Sequence, residues 1–454
     1  MSENPAERLV DHALGVEWAE LPSTVQQAAR TFLHDSLAVG VAGRNAAHAD
    51  AILVVARAWS DGGQCPVLGR PGVRLPAASA AFVNAFQIHG QEFDCVHEAA
   101  VLHPMATVLA AVLAATASGP AVSGADLLAS IVGGVDVAVA LGIGAPGPLR
   151  FFRPATAGIF GCVAALARLR RLSREQALDA LGHALAFASG TMQAHVEGTP
   201  GLPIQVANAA RNALAAVDLA QAGVPGVRRP IDGPFGYFAL FESEQKLGPA
   251  LDALGHRYFV TELSWKPFPT GRAAHGGIVA LRNLMREHEL RPESIATIDF
   301  HAPPLIHRLV GRPAHAGMAP GYARLCFAYL GAVTLLQGTV TLEDFGEQYL
   351  ADPATLALAE RIRVIPDTNP DPAAFVPAVM VIGLHEGQQF RERVSAQFGS
   401  PAWPLSREEH LEKARQCFAF GGLDNCATAV AAALETLEGF SDASAALQSS
   451  GLFG

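Results

Sequence analysis

Residues 78–115 read ASAAFVNAFQIHGQEFDCVHEAAVLHPMATVLAAVLAA: two alanine-rich apolar segments joined by a polar stretch. The first segment predicts a helix that runs to Glu92. His89 lies three residues before Glu92, so both side chains are expected on the same face of this helix. Pro104 is a favoured first residue of a helix, and the apolar run behind it predicts a second helix with His103 at its N-terminus. The fold is expected to be built on closely packed helices, with charged residues at one of their junctions.

Three histidines and three acids lie in this junction, among them His89, Glu92, Asp94, His97 and His103. Burial of an unpaired charged group is costly, so a protein core gains no stability from such a concentration of charge. Free backbone N–H groups and the positive end of a helix dipole beside His103 favour a bound carboxylate. The junction is therefore a candidate active site. Polar loop residues with a histidine cap remain the alternative for each residue taken singly.

The composition indicates a large protein with two cores. A chain of 454 residues exceeds the usual size of one hydrophobic core, and 50% hydrophobic with 16% charged residues favours burial over disorder. A formal net charge of −10 argues against a nucleic-acid partner. The six cysteines show no C-x-x-C spacing, which predicts reduced thiols in a cytoplasmic protein with no zinc or iron–sulfur site.

No membrane or secretory segment is expected. The charged N-terminal segment lacks the apolar core of a signal peptide. The apolar run from Leu127 to Val139 is interrupted by Gly133, Gly134 and Asp136, and it is short for a membrane span.

The hydrophobic period changes along the chain and predicts two domains. Alanine-rich helical patterns dominate the first part, and serines followed three residues later by Gln or Glu mark helix starts at Ser23, Ser173 and Ser406. Beyond residue 265, strand patterns alternate with helical ones. The strand patterns are Ile295–Ala302, Arg361–Ile365, Val379–Leu384 and Phe390–Val394, and the helical patterns are Arg272–His288 and Tyr322–Leu336. The expected architecture is a large all-helical domain, 1–264 completed by 400–454, with a smaller α+β domain, 265–399.

Further cations lie far along the chain. Lys266, Arg272 and His275 fall within one turn-to-helix segment, and Arg153 precedes a proline at another helix start. Abstraction of a proton next to a carboxylate needs a base, an acid and cations that stabilise the developing charge. These residue types therefore suit chemistry on small carboxylates. Tyr329 could donate a proton or belong to the core, whereas pattern alone predicts structural roles for His183 and His195.

The sequence from His89 to Pro104 has the form H-x-x-[DE]-F-D-x-x-H followed by H-P, which resembles the signature of the MmgE/PrpD family. Four further segments resemble family motifs in the same order: 153–161, 197–211, 265–277 and 322–338. This family includes 2-methylcitrate dehydratases, cis-aconitate decarboxylases and an iminodisuccinate epimerase. The resemblance implies a large helical domain, a smaller α+β domain, an active site in the cleft between them, and a homodimer formed through the helical domain.

Several positions depart from the family pattern. Leu202 and Gln205 stand where the family has a lysine and a histidine, so a cation and a proton carrier are absent. Glu92 lengthens one acid, Val96 replaces a hydroxyl, and Arg153 replaces a histidine. These changes suggest that the substrate carboxylates have moved or are fewer, and they argue against a standard 2-methylcitrate dehydratase or cis-aconitate decarboxylase.

The leading hypothesis is a cofactor-independent lyase, hydro-lyase-like or decarboxylating, that acts on a small di- or tricarboxylate. The alternatives are an isomerase or epimerase that uses the same proton abstraction, and a divergent binding member without catalysis. A metal hydrolase that uses His89, His97 and His103 is weaker, because their spacings do not place them on one helix face. The predicted catalytic residues are His103, Glu92, Asp94, Lys266 and Tyr329, and the predicted substrate-binding residues are Arg153, Arg272, His275, His89 and His97.

Overall fold

The computed structural model describes residues 4–60 and 62–453, and their first part is a bundle of helices with one small β-hairpin. Its elements are α1 (Pro5–Gly15), α2 (Ser23–Ala42), α3 (Ala49–Trp59), β1 (Cys65–Pro66), β2 (Arg74–Leu75), α4 (Ala77–His89), α5 (Pro104–Ser118), α6 (Gly124–Ile143), α7 (Arg153–Thr156), α8 (Gly158–Leu169), α9 (Arg174–Phe187), α10 (Gln193–Glu197), α11 (Gly201–Gln221), α12 (Tyr237–Phe241) and α13 (Gly248–Ala253).

Helices α6 and α8 cross in the middle of this bundle, where glycines let their backbones touch. A Cβ added to Gly134 would lie 2.7 Å from the carbonyl oxygen of Gly161, so no larger residue fits there. All twelve residues of α8 are buried, as the small-residue spacing of this segment predicts. Helix α6 is longer than its apolar run suggested: its 20 residues suffice in length and composition to cross a membrane. Of its apolar window, 89% is buried inside the protein, as in the core helix of a bundle.

Two of the three expected capping boxes are confirmed. The side chains of Ser173 and Ser406 each accept a hydrogen bond from the backbone N–H three residues on. The side chains of Gln176 and Glu409 in turn accept a hydrogen bond from the backbone N–H of these serines. The third is wrong, because Ser23 is already the first helical residue and Pro22 occupies the cap position. The side chain of Gln26 instead donates to the backbone carbonyls of Trp18 and Leu21.

The second part of the chain contains a four-stranded mixed sheet covered by helices. Its elements are α14 (His275–Glu287), β3 (Ile295–Ala302), α15 (Pro304–Val310), α16 (Pro320–Ala323), α17 (Phe327–Gln337), α18 (Glu347–Leu350), α19 (Pro353–Ala359), β4 (Ile362–Pro366), β5 (Ala378–Leu384) and β6 (Gln389–Val394). The strand order is β4-β3-β5-β6, in which β3 runs parallel to β4 and antiparallel to β5. All four predicted strands and the β5–β6 hairpin are confirmed.

The two predicted helices of this region begin or break differently. The single helix expected over Tyr322–Leu336 is divided into α16 and α17, and between them the side chain of Arg324 is buried against the backbone of Gln91 and Pro269. Helix α14 begins at His275, after a tighter turn that contains Arg272.

The C-terminal segment returns to the helical bundle as α20 (Arg407–Phe420), α21 (Ala427–Glu435) and α22 (Ala443–Ser449). Cys417 and Phe418 belong to the same apolar core as the first helices, whereas Phe300 and Phe327 belong to a second core around the sheet. The molecule therefore has the expected class, a large helical domain with a smaller α+β domain. The exact boundaries, 1–264 with 400–454 and 265–399, stay a prediction.

Candidate active site

The loop between α4 and α5 carries the charged junction of the sequence. Helix α4 ends at His89, three residues earlier than expected, and Glu92 lies beyond it in the left-handed region with φ +50°. The chain then turns inward, so Asp94 is completely buried, before α5 begins at Pro104. His103 occupies the N-cap position of α5, but its side chain makes no capping hydrogen bond. The ring of His103 is therefore free to take part in other contacts.

His97 fastens this loop and does not face a ligand. Its Nε2 lies 3.2 Å from Glu262 Oε2, and its Nδ1 accepts a hydrogen bond from the backbone N–H of Ala100. The neighbouring Val96 exchanges backbone hydrogen bonds with Ser264, two residues before Lys266. Both ring nitrogens of His97 are thus occupied. The structure gives His97 a structural role in place of the predicted substrate contact, and it removes the proposed His89, His97 and His103 metal site.

Asp94 is the centre of a buried cluster that joins predicted residues from distant parts of the chain. Asp94 Oδ2 lies 3.0 Å from His89 Nδ1 and 3.2 Å from His103 Nδ1. The two imidazole rings meet edge to face with their centroids 4.9 Å apart. Lys266 Nζ lies 2.8 Å from Glu92 Oε2 and 3.9 Å from Asp94 Oδ1. Two carboxylates, two imidazoles and one ammonium group therefore share one site.

The cluster shifts the pKa values of its two histidines in opposite directions. Burial lowers the pKa of His89, but Asp94 and Glu92 outweigh it, so the net pKa is raised. For His103, burial dominates and lowers the pKa despite the contact with Asp94. Burial alone would raise the pKa of both acids, yet contacts with His89 and His103 hold that of Asp94 well below its usual range, and Lys266 with the two histidines lowers that of Glu92 to about 2. The pKa values of His89 and His103 are thus shifted in opposite directions around one carboxylate whose own pKa is lowered, an arrangement typical of paired acid and base groups.

Two connected cavities reach this cluster. An inner cavity of about 70 Å³ is lined by His89, Glu92 and His103 together with mainly apolar side chains. An outer cleft of about 500 Å³ shares His89, Glu92, Leu202 and Leu325 with it. The two cavities therefore adjoin at the acid–base pair and at Leu202.

Arg153 and Arg272 are paired with acids of the protein itself. Arg153 donates to both carboxylate oxygens of Glu242 at 2.9 Å, and the pair is buried. Arg272 donates to Glu98 Oε1 at 2.8 Å and to the backbone carbonyls of Trp265 and Phe398. Both guanidinium groups line the inner cavity, but their charges are already compensated. Neither is the free carboxylate-binding cation that the sequence suggested.

His275 and Tyr329 lie inside the α+β core. The ring nitrogens of His275 contact Arg272 and the Thr270 carbonyl, and burial lowers its pKa well below the usual value. The hydroxyl of Tyr329 donates to the backbone carbonyl of Asp344, and burial raises its pKa. Neither side chain lines the inner cavity. The structure therefore favours Tyr329 as a core residue and His275 as a residue that supports Arg272.

Sequence reasoning missed three basic residues around the site. Arg324 lines the outer cleft and binds the backbone of Gln91 beside Glu92. Arg312 contacts His195, which was expected to be structural but lines the inner cavity. Lys413 of α20 donates to the carbonyl of Phe93, between Glu92 and Asp94. Their spacing from the motif at 89–104 gives no sign that they lie near it in the fold. Only Arg324 belongs to a segment that resembles a family motif.

His89, Asp94 and His103 could also form a metal-binding group, since one ligand atom of each lies within 4.8 Å of the others. The ammonium group of Lys266, 3.9 Å from Asp94, would repel a divalent cation there. The distances of 3.0 and 3.2 Å to Asp94 suit direct contacts between imidazole and carboxylate. We therefore interpret the three residues as a hydrogen-bonded and ion-paired group.

Comparison with known families agrees with these features. The model of the MmgE/PrpD N-terminal domain matches residues 7–250, and that of the MmgE/PrpD C-terminal domain matches residues 268–435. The chain belongs to the MmgE/PrpD family. It is 27% identical to cis-aconitate decarboxylase of Mus musculus over 88% of this chain and 84% of that protein. It is 26% identical to the Homo sapiens cis-aconitate decarboxylase, over 88% and 85%, and 28% identical to a cis-aconitate decarboxylase-like protein of Aspergillus oryzae, over 88% and 87%.

The departures from the MmgE/PrpD pattern lie at this site. Leu202 and Val96, where the family has a lysine and a hydroxyl, line the inner cavity. Gln205, where the family has a histidine, instead fastens the loop before α10 by hydrogen bonds to the backbone N–H and carbonyl of Thr191. This MmgE/PrpD member therefore presents a more apolar wall to its ligand than the family motif predicts.

Proposed function

We propose that the protein is a cofactor-independent lyase of the decarboxylase or dehydratase type, acting on a small di- or tricarboxylate. One observation carries this proposal: His103 and His89 contact the same buried carboxylate and line the same cavity, with pKa values shifted in opposite directions. The relatives named above support a decarboxylase, since they are cis-aconitate decarboxylases or a protein like them.

In the dehydratase form, His103 removes the proton from a carbon next to a carboxylate, and the hydroxyl group leaves with a proton from His89. In the decarboxylase form, the carbon–carbon bond to the departing carboxylate breaks. The electron pair remains on the substrate carbon, which then takes a proton from His89, and carbon dioxide leaves. Lys266, predicted from the sequence to be catalytic, lines neither cavity and is already paired with Glu92, so its part in both forms is to keep that carboxylate ionised beside the cavity.

Proton NMR in D2O on a panel of small carboxylic acids, with the purified protein and with a chelator added, tests this proposal. We expect loss of a hydroxyl or of carbon dioxide from at least one di- or tricarboxylate, at the same rate with and without chelator. Inactivity towards the whole panel would favour a binding protein without catalysis. Activity abolished by the chelator would reverse our interpretation of His89, Asp94 and His103 as a metal-free group.

An isomerase or epimerase is the second candidate. The two imidazole rings lie 4.9 Å apart with opposite tendencies to hold a proton, which suits removal and return of a proton at one carbon. Exchange of a substrate proton with solvent deuterium, without elimination or loss of carbon dioxide, would favour this candidate.

A further inference from the structure

His195 is a buried histidine that lines the inner cavity, and one of its two ring nitrogens makes no hydrogen bond to a described residue. It is 7% exposed, and within the described part of the chain its Nε2 has no hydrogen-bond partner. At its other edge, Arg312 Nη2 lies 3.2 Å from Nδ1 and 2.8 Å from the backbone carbonyl of the same residue. Because a guanidinium group can only donate, Nδ1 must accept, and the proton of the neutral ring is therefore on Nε2. Among the described residues no acceptor meets hydrogen-bond geometry for this buried N–H, and the nearby Leu309 carbonyl is close enough only to raise the pKa of the ring.

Positive charge surrounds this donor. Burial lowers the pKa of His195 to about 4, and Arg312 and Arg308 act in the same direction, while Glu92 and the Leu309 carbonyl oppose them. The guanidinium Nη1 of Arg312 is buried and has no hydrogen-bond partner among the described residues. Arg308 donates to the backbone carbonyl of Leu149, at the edge of the same cavity. Neither arginine has a carboxylate partner among the ion pairs of the described residues, in contrast with Arg153 and Arg272.

Apolar side chains form most of the remaining wall. Leu202 is 5% exposed and lies where the inner cavity and the outer cleft meet, and Met192, Phe152 and Phe375 lie around the inner cavity. A substrate carboxylate against these side chains would lose its hydration without gaining a partner, which is costly. An alkyl group would fit there without that cost.

We propose that His195, oriented by Arg312, binds one carboxylate of the substrate through its Nε2–H, and that the substrate is a dicarboxylate with an apolar substituent against Leu202. This inference rests on the proposed function for the identity of the cavity as the substrate site. His195 is the substrate-binding residue, and Arg312 is a positioning residue that fixes its tautomer and adds positive charge. A third carboxylate has no compensating cation in this arrangement, so tricarboxylates bind less well.

Two acids that differ by one carboxylate provide the test. Citraconate is cis-aconitate with one carboxymethyl group replaced by methyl, so it keeps the other two carboxylates on the same double bond. Calorimetry should show that the wild-type protein binds citraconate more tightly than cis-aconitate. Replacement of Leu202 by Lys should reverse this order, because the new ammonium group can pair with the third carboxylate. Tighter binding of cis-aconitate by the wild type, or of neither acid, overturns the proposal.

Variants of the histidine and arginine separate binding from folding. His195→Phe should weaken citraconate binding by at least about tenfold, the effect of losing one hydrogen bond to a charged group. The matched control is His183→Phe, which changes a partly exposed histidine outside the cavity and should leave binding unchanged. Arg312→Gln should raise the pKa of His195, measured by NMR of its ring protons, and make citraconate binding vary with pH between 5 and 7. Unchanged binding in His195→Phe contradicts the subsite.

Turnover distinguishes this inference from the proposed function. If the wild type binds citraconate through His195 but converts no acid of the panel, the subsite stands and the lyase proposal fails. If the wild type converts a carboxylate and His195→Phe leaves its KM unchanged, the lyase proposal stands and the subsite fails.

Discussion

Asp94 organises the chemistry at the scale of single residues. It is completely buried, yet its pKa is held low because the imidazoles of His89 and His103 contact it. Burial lowers the pKa of both imidazoles and Asp94 raises both; at His89 the acids outweigh burial, whereas at His103 burial prevails. A difference of environment over a few ångströms thus gives two identical side chains different roles.

Replacement of His103 by Ala should lower kcat for a dehydration, in which His103 removes the substrate proton, by at least about a hundredfold, the low end of what a positioned acid or base contributes. Steady-state kinetics on the acid found in the NMR panel would measure it. His183→Ala serves as the control, since His183 contacts only the Val224 carbonyl at the surface of the bundle. A rate for His103→Ala close to that of the control would remove His103 from the mechanism.

The rate should depend on pH in a bell shape. His103 acts only when neutral and its pKa is lowered from 6.5, so activity falls on the acid side below pH 6.5. His89 acts only when protonated and its pKa is raised from 6.5, so activity falls on the alkaline side above pH 6.5. The two limits belong to the coupled pair and are read from kcat/KM against pH. Asp94→Asn should move the alkaline limit to lower pH, and an unmoved limit would assign it to another group.

At the scale of elements, the helix ends decide where the site residues point. Helix α4 stops at His89, and the left-handed conformation of Glu92 turns the following residues towards the core. The side chain of His103 makes no hydrogen bond to the N-terminus of α5 and contacts Asp94 instead. Helix α20 begins at a full capping box and carries Lys413 to the backbone of this loop. The caps of distant helices therefore contribute to the geometry of the loop.

Removal of a capping hydroxyl should cost stability only where the cap exists. Ser406→Ala and Ser173→Ala should each lower the free energy of unfolding by about 1 kcal/mol, because each serine accepts a hydrogen bond from its helix N-terminus. Ser23→Ala is the matched control and should be close to neutral, since Ser23 makes no cap. Denaturant unfolding measures all three, and an equal loss in Ser23→Ala would contradict the difference.

At the scale of the whole molecule, the C-terminal segment closes the structure behind the site. Lys413 lies 2.7 Å from Asp35 of α2 and 3.0 Å from the carbonyl of Phe93, and all three residues are buried. Burial raises the pKa of Asp35 even though Lys413 opposes it. This pair joins the last helices, the first helices and the loop between α4 and α5.

Replacement of Lys413 by Met should lower the free energy of unfolding by about 3–5 kcal/mol, because it leaves the buried Asp35 without its partner. The double variant Lys413→Met with Asp35→Leu should recover much of that loss, since both buried charges are then absent. Chemical unfolding of both variants and the wild type measures the coupling. A double variant as unstable as the sum of two independent losses would show that the ion pair does not link these segments.

The sequence by itself determined the fold class, the four strands, the hairpin and the start of α5 at Pro104, because period and local turn chemistry act between near neighbours in the chain. It also placed His89, Glu92, Asp94 and His103 in one short stretch, and its motifs pointed to the family. The functional roles of these residues stay predictions.

Only the tertiary structure decided which charges are free. Arg153 is compensated by Glu242 and Arg272 by Glu98, whereas Arg312 and His195 each keep one nitrogen without a hydrogen-bond partner in the part of the chain that the structure describes, and each of these pairs joins residues far apart in sequence. The physical reason is that a buried charge takes its partner from whatever the fold packs against it. Composition and spacing along the chain therefore do not predict that partner.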